Sequence, residues 1–243
     1  MMADQTITQR IEAVLERVEA AASRAARHPL EIRLVAVTKG VPPTRVVEAA
    51  RAGLVVFGEN YVQEALEKIA SVRKQLGQAA PAPAWHIVGA LQRNKARLAV
   101  GAFDLIHSVD SVALAKEIDK RAGTAGCTQR ILLEVNIAGE KTKTGFTPKE
   151  ALAEAGAIAT LPHLRLAGLM ALPPPGPDPE ASRPHFQALR ELRDDIRRRG
   201  LATETFRDLS MGMSDDFEVA IEEGATWIRL GRAIFGERSA KKK

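Results

Sequence analysis

Eight short apolar runs recur along the chain, at residues 32–38, 54–57, 85–88, 105–109, 131–137, 166–172, 206–211 and 227–230, with helical patterns between them. Several are apolar on consecutive positions instead of alternating ones, as expected of parallel strands covered on both faces. The helix ends are readable. Thr44 stands where it would cap a helix that stops at Gly53, and Asn60 opens one that runs through Lys74. Thr147 followed by Pro148 reads as N-cap and first helical residue, and Pro184 opens a helix that stops at Gly200. Asp215 and Glu218 have the spacing of a capping box, ahead of a helix that stops at Gly224. Before the first strand, Ile7, Ile11, Val14, Leu15 and Val18 form one apolar stripe. Strands alternating with helices in this way predict an α/β chain, a single (β/α)8 TIM barrel over residues 1–243. The first 28 or so residues form an extra helix packed on that barrel. No G-x-G-x-x-G follows any run, which argues against an open dinucleotide-binding sheet. The Pro-rich stretch 172–179 is a loop after strand six, because the alternation resumes beyond it.

Composition narrows the function. The 243 residues are 45% hydrophobic, enough for one large core. No stretch approaches the roughly 20 apolar residues of a membrane helix, so no membrane partner is expected. The N-terminal stretch alternates charge with apolar residues and lacks a signal-peptide core. Cys127 is the only cysteine, which leaves no disulfide framework; the expected compartment is the cytoplasm. The net charge of +5 is spread over helix faces, apart from runs at 197–199 and 241–243. The first closes a helix, where arginine suits the dipole, and no nucleic-acid partner is expected. Five histidines without close spacing and no paired carboxylates at a strand end predict no metal site.

In a barrel of this kind the site lies at the C-terminal ends of the strands. Val35, Val37 and Lys39 share one face of the first strand, so Lys39 sits above two interior valines at the mouth. A free lysine, with pKa about 10.4, is almost wholly protonated at pH 7. Partial burial lowers that pKa and favours a Schiff base with an aldehyde. Phosphate sites in this architecture favour the loops after strands seven and eight. Here those loops are Ser210, Met211, Gly212, Met213 and Ser214, then Gly231, Arg232 and Ala233. The first offers hydroxyls, a glycine and a helix start. An aldehyde handle at Lys39 and a phosphate handle opposite describe pyridoxal 5′-phosphate (PLP). Other residues carry two readings: Asn60, ligand contact or helix cap; His86, site residue or core histidine; Met170, ring contact or packing. Asn136, on the same face as Glu134, is the better mouth candidate.

The segments AVTKG (36–40), FGENYVQEALEK (57–68), WHIVGALQRNK (85–95), LEVNIAGEKTKTGF (133–146), GLMAL (168–172), LSMGMSDDFEVAIEEGAT (209–226) and IRLGRAIFGER (228–238) resemble the YggS/PROSC family of PLP homeostasis proteins. The resemblance implies a fold like the barrel domain of bacterial alanine racemase and a Schiff-base lysine at Lys39. It implies phosphate contacts around Ser210, Gly212 and Met213 and at Gly231 and Arg232. Arg229 falls where the related racemases place an arginine beside the pyridine nitrogen, which makes the ring a weaker electron sink. Arg232 stands where some members have Thr or Ser, leaving its backbone N–H as the contact. The racemases use a tyrosine base from a further domain, whereas the only tyrosine here is Tyr61, at a helix start. The resemblance therefore implies a carrier that binds and supplies PLP without established turnover; the expected partners are PLP and apo PLP-dependent enzymes, and the expected state is a monomer. The alternatives are a PLP-dependent racemase or related enzyme and, third, a nucleic-acid or protein-interaction role.

Overall fold

The computed structural model describes residues 5–77, 81–140, 142–174, 176 and 178–237. Eight parallel strands close into a barrel in chain order, each paired to the next and the last to the first. They are β1 (Arg33–Val37), β2 (Val56–Glu59), β3 (Ala84–Ile87), β4 (Leu105–Val109), β5 (Gln129–Glu134), β6 (Leu164–Met170), β7 (Asp208–Ser210) and β8 (Trp227–Leu230). The helices are α1 (Ile7–Arg24), α2 (Pro43–Arg51), α3 (Val62–Leu76), α4 (Ala96–Ala99), α5 (Val112–Ala125), α6 (Pro148–Ala159), α7 (Arg183–Arg198), α8 (Phe217–Glu222) and α9 (Arg232–Phe235). Among the described residues no helix is long and apolar enough to cross a membrane, and no cluster of metal-binding side chains occurs.

The eight expected strands are all present, and the boundaries move where a turn takes over. The second begins at Val56 because Leu54 N–H donates to Ala49 O and ends the preceding helix. The fifth ends at Glu134, two residues short of Asn136. Helix starts separate into two groups. Thr147 accepts from Glu150 N–H, while the Glu150 carboxylate accepts from Thr147 N–H, as its spacing predicts. Thr44 caps nothing, because Pro43, with φ preset for a first turn, starts the helix two residues earlier than a Thr44 cap would. Asn60 is not a cap either; that position falls to Tyr61. The Asp215–Glu218 box does not form. Asp216 holds the cap position and turns its carboxylate to Met213 N–H (2.7 Å) and Ser182 Oγ (2.9 Å), while Glu218 pairs with Arg17 and Arg24 on α1.

Helix α1 buries Ile7, Ile11, Val14 and Val18, and it packs on α8 and α9. Each buried side chain of this size contributes about 1.5–3 kcal/mol. Leu15, expected on the same stripe, is 46% exposed at its edge. The larger apolar core lies between barrel and helices, and a smaller one fills the barrel: Val35, Val88, Leu105, Leu132, Ala167, Met170 and Trp227.

Candidate functional site

Alternation along β1 turns Arg33, Val35 and Val37 inward, with Val35 fully buried and Val37 packed over it. Lys39 follows immediately above, half-buried at the barrel mouth. Its backbone is held from behind. Lys68 Nζ donates to Thr38 O (2.6 Å) and to the buried Glu59 Oε1 (2.5 Å), and Thr38 Oγ1 donates to the same carboxylate oxygen (2.6 Å). Gly40, at φ 72°, then turns the chain away in the left-handed region that suits glycine.

A cavity of about 570 Å³ opens at this end of the barrel. Lys39, Asn60 and Asn136 line it, together with Met213, Arg229, Gly231 and Arg232. The other sequence candidates stand elsewhere. Met170 is fully buried within the barrel interior, and Met211 is buried in the outer core. Gly212, at φ 89°, is packed so tightly on α8 that a Cβ would lie 2.5 Å from the Ala220 Cβ. Ser210 and His86 are buried below the mouth. There Arg229 donates through Nη1 to Ser210 Oγ (2.6 Å) and through Nη2 to Ala171 O (3.0 Å). His107 Nδ1 lies 2.8 Å from Ser210 Oγ, and its Nε2 lies 3.0 Å from His86 Nδ1. Burial holds both imidazoles below their ordinary pKa, His86 at about 3, so both are neutral at pH 7.

The loop after β7 brings Ser214 to the cavity, and the Ser214 hydroxyl accepts from Ala233 N–H (3.2 Å) at the start of α9, after β8, the strand beside β1. The Arg232 guanidinium reaches Asp215 and Glu237. Asn136 spends its side chain on the loop that follows β5: Nδ2 donates to Glu140 O (2.8 Å), and Oδ1 accepts from Glu140 N–H (3.1 Å). That loop carries Thr142, Lys143 and Thr144 to the cavity wall, with Lys143 paired to Glu140 (2.5 Å).

Glu134 is a cavity residue that sequence reasoning set aside in favour of Asn136. It occupies the inward row of β5 above Leu132, and the end of the strand at Glu134 puts it at the mouth. Burial, reinforced by Asp110 and opposed by Arg229, raises its pKa to about 6. Arg229, buried in turn, is lowered to about 10, with Asp216 and Glu134 opposing the shift. The mouth thus presents an amine, a fixed guanidinium, a carboxyl in the acid–base range, and hydroxyl and backbone donors after β7 and β8.

The family model for the N-terminal domain of alanine racemase matches residues 10–239. A pyridoxal phosphate homeostasis protein of Aquifex aeolicus is 44% identical over 230 residues, covering 95% of this chain and 97% of that protein. One of Pseudomonas aeruginosa is 43% identical over 234 residues, covering 96% of each. The chain belongs to the pyridoxal phosphate homeostasis protein family. Among solved structures, PipY of Synechococcus elongatus PCC7942, determined with PLP bound, superposes with a TM-score of 0.77 at 37% identity. The match covers 90% of this chain and 100% of PipY. A family relationship along nearly the whole barrel agrees with the single (β/α)8 architecture and with the alanine-racemase-like fold.

Proposed function

We propose that this homeostasis protein binds PLP at the barrel mouth, holds the aldehyde through Lys39 as a Schiff base, and keeps the cofactor for supply to apo PLP-dependent enzymes. The carrying observation is that Lys39, above the end of β1, lines the same cavity as Ser214, Gly231 and Arg232, which follow β7 and β8, the latter being β1's neighbour in the barrel. The donor set fits the cofactor. A phosphate dianion needs hydroxyl and N–H donors with a nearby cation, which Ser214, the first turn of α9 and Arg232 supply. An aldehyde needs an amine, and the clamp on Thr38 orients the one at residue 39. When bound, PLP brings an electron-withdrawing ring. Arg229 sets the charge beside the cavity, and the loop carrying Asn136 and Lys143 covers one side. Relatives named for PLP homeostasis and PipY with PLP bound support this reading.

Glu134 favours a second reading, catalysis on amino acids, because a buried carboxyl with a pKa of about 6 suits proton transfer near neutral pH. One preparation tests both. Under the carrier reading, purified protein shows a visible PLP absorbance, borohydride fixes the label on Lys39 by mass spectrometry, and amino acids in deuterated buffer exchange no α-proton beyond background. Label elsewhere than Lys39 defeats the assignment. Exchange over many turnovers that vanishes in Lys39→Ala installs the enzyme reading.

A further inference from the structure

The row of polar groups buried beneath the mouth has a direction. A guanidinium can only donate, so Ser210 Oγ is an acceptor towards Arg229 Nη1 at 2.6 Å. The single hydroxyl proton of Ser210 is then left for His107 Nδ1 at 2.8 Å. A neutral His107 that accepts at Nδ1 carries its proton on Nε2, which faces His86 Nδ1 at 3.0 Å. His86 in turn accepts at Nδ1 and carries its proton on Nε2. With this tautomer the polarity runs from Arg229 through Ser210 and His107 to His86; the opposite tautomer of His107 would make the Ser210 oxygen accept twice and leave its buried hydroxyl proton without an acceptor. His107 and Ser210 are fully buried, and the two imidazoles are wedged against the Trp227 ring, whose centroid lies 4.9 Å from that of His86 and 6.2 Å from that of His107.

Arg229 is the only member that also lines the cavity. Among the described residues it makes no ion pair, and its side chain donates to two neutral oxygens, Ser210 Oγ and Ala171 O. One of those anchors owes its orientation to His107. We propose that His107, which no sequence motif singled out, is a positioning residue of the cofactor site: through Ser210 it fixes the guanidinium of Arg229 that faces the bound ring. This inference rests on the proposed PLP site and adds a control of ring electronics from a residue that never touches the cofactor. The direction of the relay also explains why Ser210 is not at hand for a phosphate, since both sides of its hydroxyl are engaged within the barrel.

Two measurements test it. In the protein without added cofactor, long-range proton–nitrogen NMR should show His86 and His107 as Nε2–H tautomers at pH 7. With cofactor, His107→Phe, which keeps a ring in the slot but removes both nitrogens, should shift the visible absorption band and weaken PLP binding about tenfold, the scale of losing a hydrogen bond to a charged group. Ser210→Ala should reproduce the shift, and the double variant should add nothing. Leu105→Ala, two residues before His107 on the same inward row, should lower Tm without moving the band. If His107→Phe does not fold, Ser210→Ala and the tautomer spectrum carry the test. An Nδ1–H tautomer at His107 overturns the relay. A His107→Phe protein that loses Tm but keeps the wild-type band and affinity, as Leu105→Ala does, reduces His107 to packing and overturns the inference while PLP binding stands. A wild-type protein that takes up no PLP overturns the proposed function and the inference together.

Discussion

The two ends of the barrel interior bury charge on opposite terms. At the floor, Asp208 accepts from Arg33 and, at 3.2 Å, from Arg130, and the Arg33 guanidinium lies 3.9 Å from the centroid of the Trp227 ring. One carboxylate thus ties β7 to β1 and β5, neither of which is its neighbour in the sheet. At the mouth, Glu134 and Arg229 are as deeply buried, yet among the described residues neither has an ion-pair partner. Burial pushes the Glu134 carboxyl up and the Arg229 guanidinium down, each towards its neutral form. Paired charges at the floor tie strands together. Unpaired ones at the mouth cost stability and leave charge and hydrogen-bonding capacity facing a cavity. The difference is the physical mark of a binding end.

The largest test of this contrast lies at the floor. Asp208→Ala leaves two arginines without their shared carboxylate and should cost about 3 kcal/mol of unfolding free energy, below the top of the range for buried pairs because both arginines keep some solvent. Chemical denaturation checks it, and the folded fraction should still bind PLP with wild-type affinity. A loss under about 1 kcal/mol would erase the distinction between the two ends.

At the mouth the sign reverses. The folded pKa of Glu134, about 6, exceeds its ordinary 4.5, so between those values the native state holds a proton that the unfolded state has released. Stability therefore falls as pH rises through this window, by about 2 kcal/mol from this group, and stays lower above it. Glu134→Gln should remove that slope and stabilise the protein at pH 7 by about 1–2 kcal/mol, read as the difference between variant and wild type across pH 4–8. A destabilised variant at pH 7 would show that the carboxylate has a partner after all.

The smallest effect separates the two serines of the β7 loop. Ser214→Ala should weaken PLP binding by about 1 kcal/mol, one hydrogen bond to an anion, with little change in Tm. Calorimetric titration that finds affinity unchanged would move the phosphate away from this wall.

The architecture was legible in the chain because its signals are local. Apolar runs on consecutive residues, Thr147 ahead of Pro148 and the stripe of α1 depend only on the spacing of neighbours. Lys39 at the mouth followed from alternation above Val35 and Val37. The site resisted where it turned on a strand boundary. The fifth run, 131–137, extends three residues past the end of β5 at Glu134, which hides that Glu134 stands at the mouth beside Asn136, whose side chain is bonded to the following loop. The expected Asp215–Glu218 cap failed for a different reason, partners far away in sequence: Asp216 accepts from Ser182, 34 residues before it, and Glu218 pairs with Arg17 and Arg24 on α1.

By itself, then, the sequence determined the barrel, its helix cover and the lysine above the first strand, since period and turn chemistry are properties of short stretches. Only the tertiary structure decided which polar groups meet. Ser210, His107 and His86 come from three different strands, and the hydrogen bonds that link them in a row ending at Arg229 span 19 to 103 residues in sequence between successive members. No local pattern records such a contact, because barrel closure alone brings those inward rows within hydrogen-bonding distance.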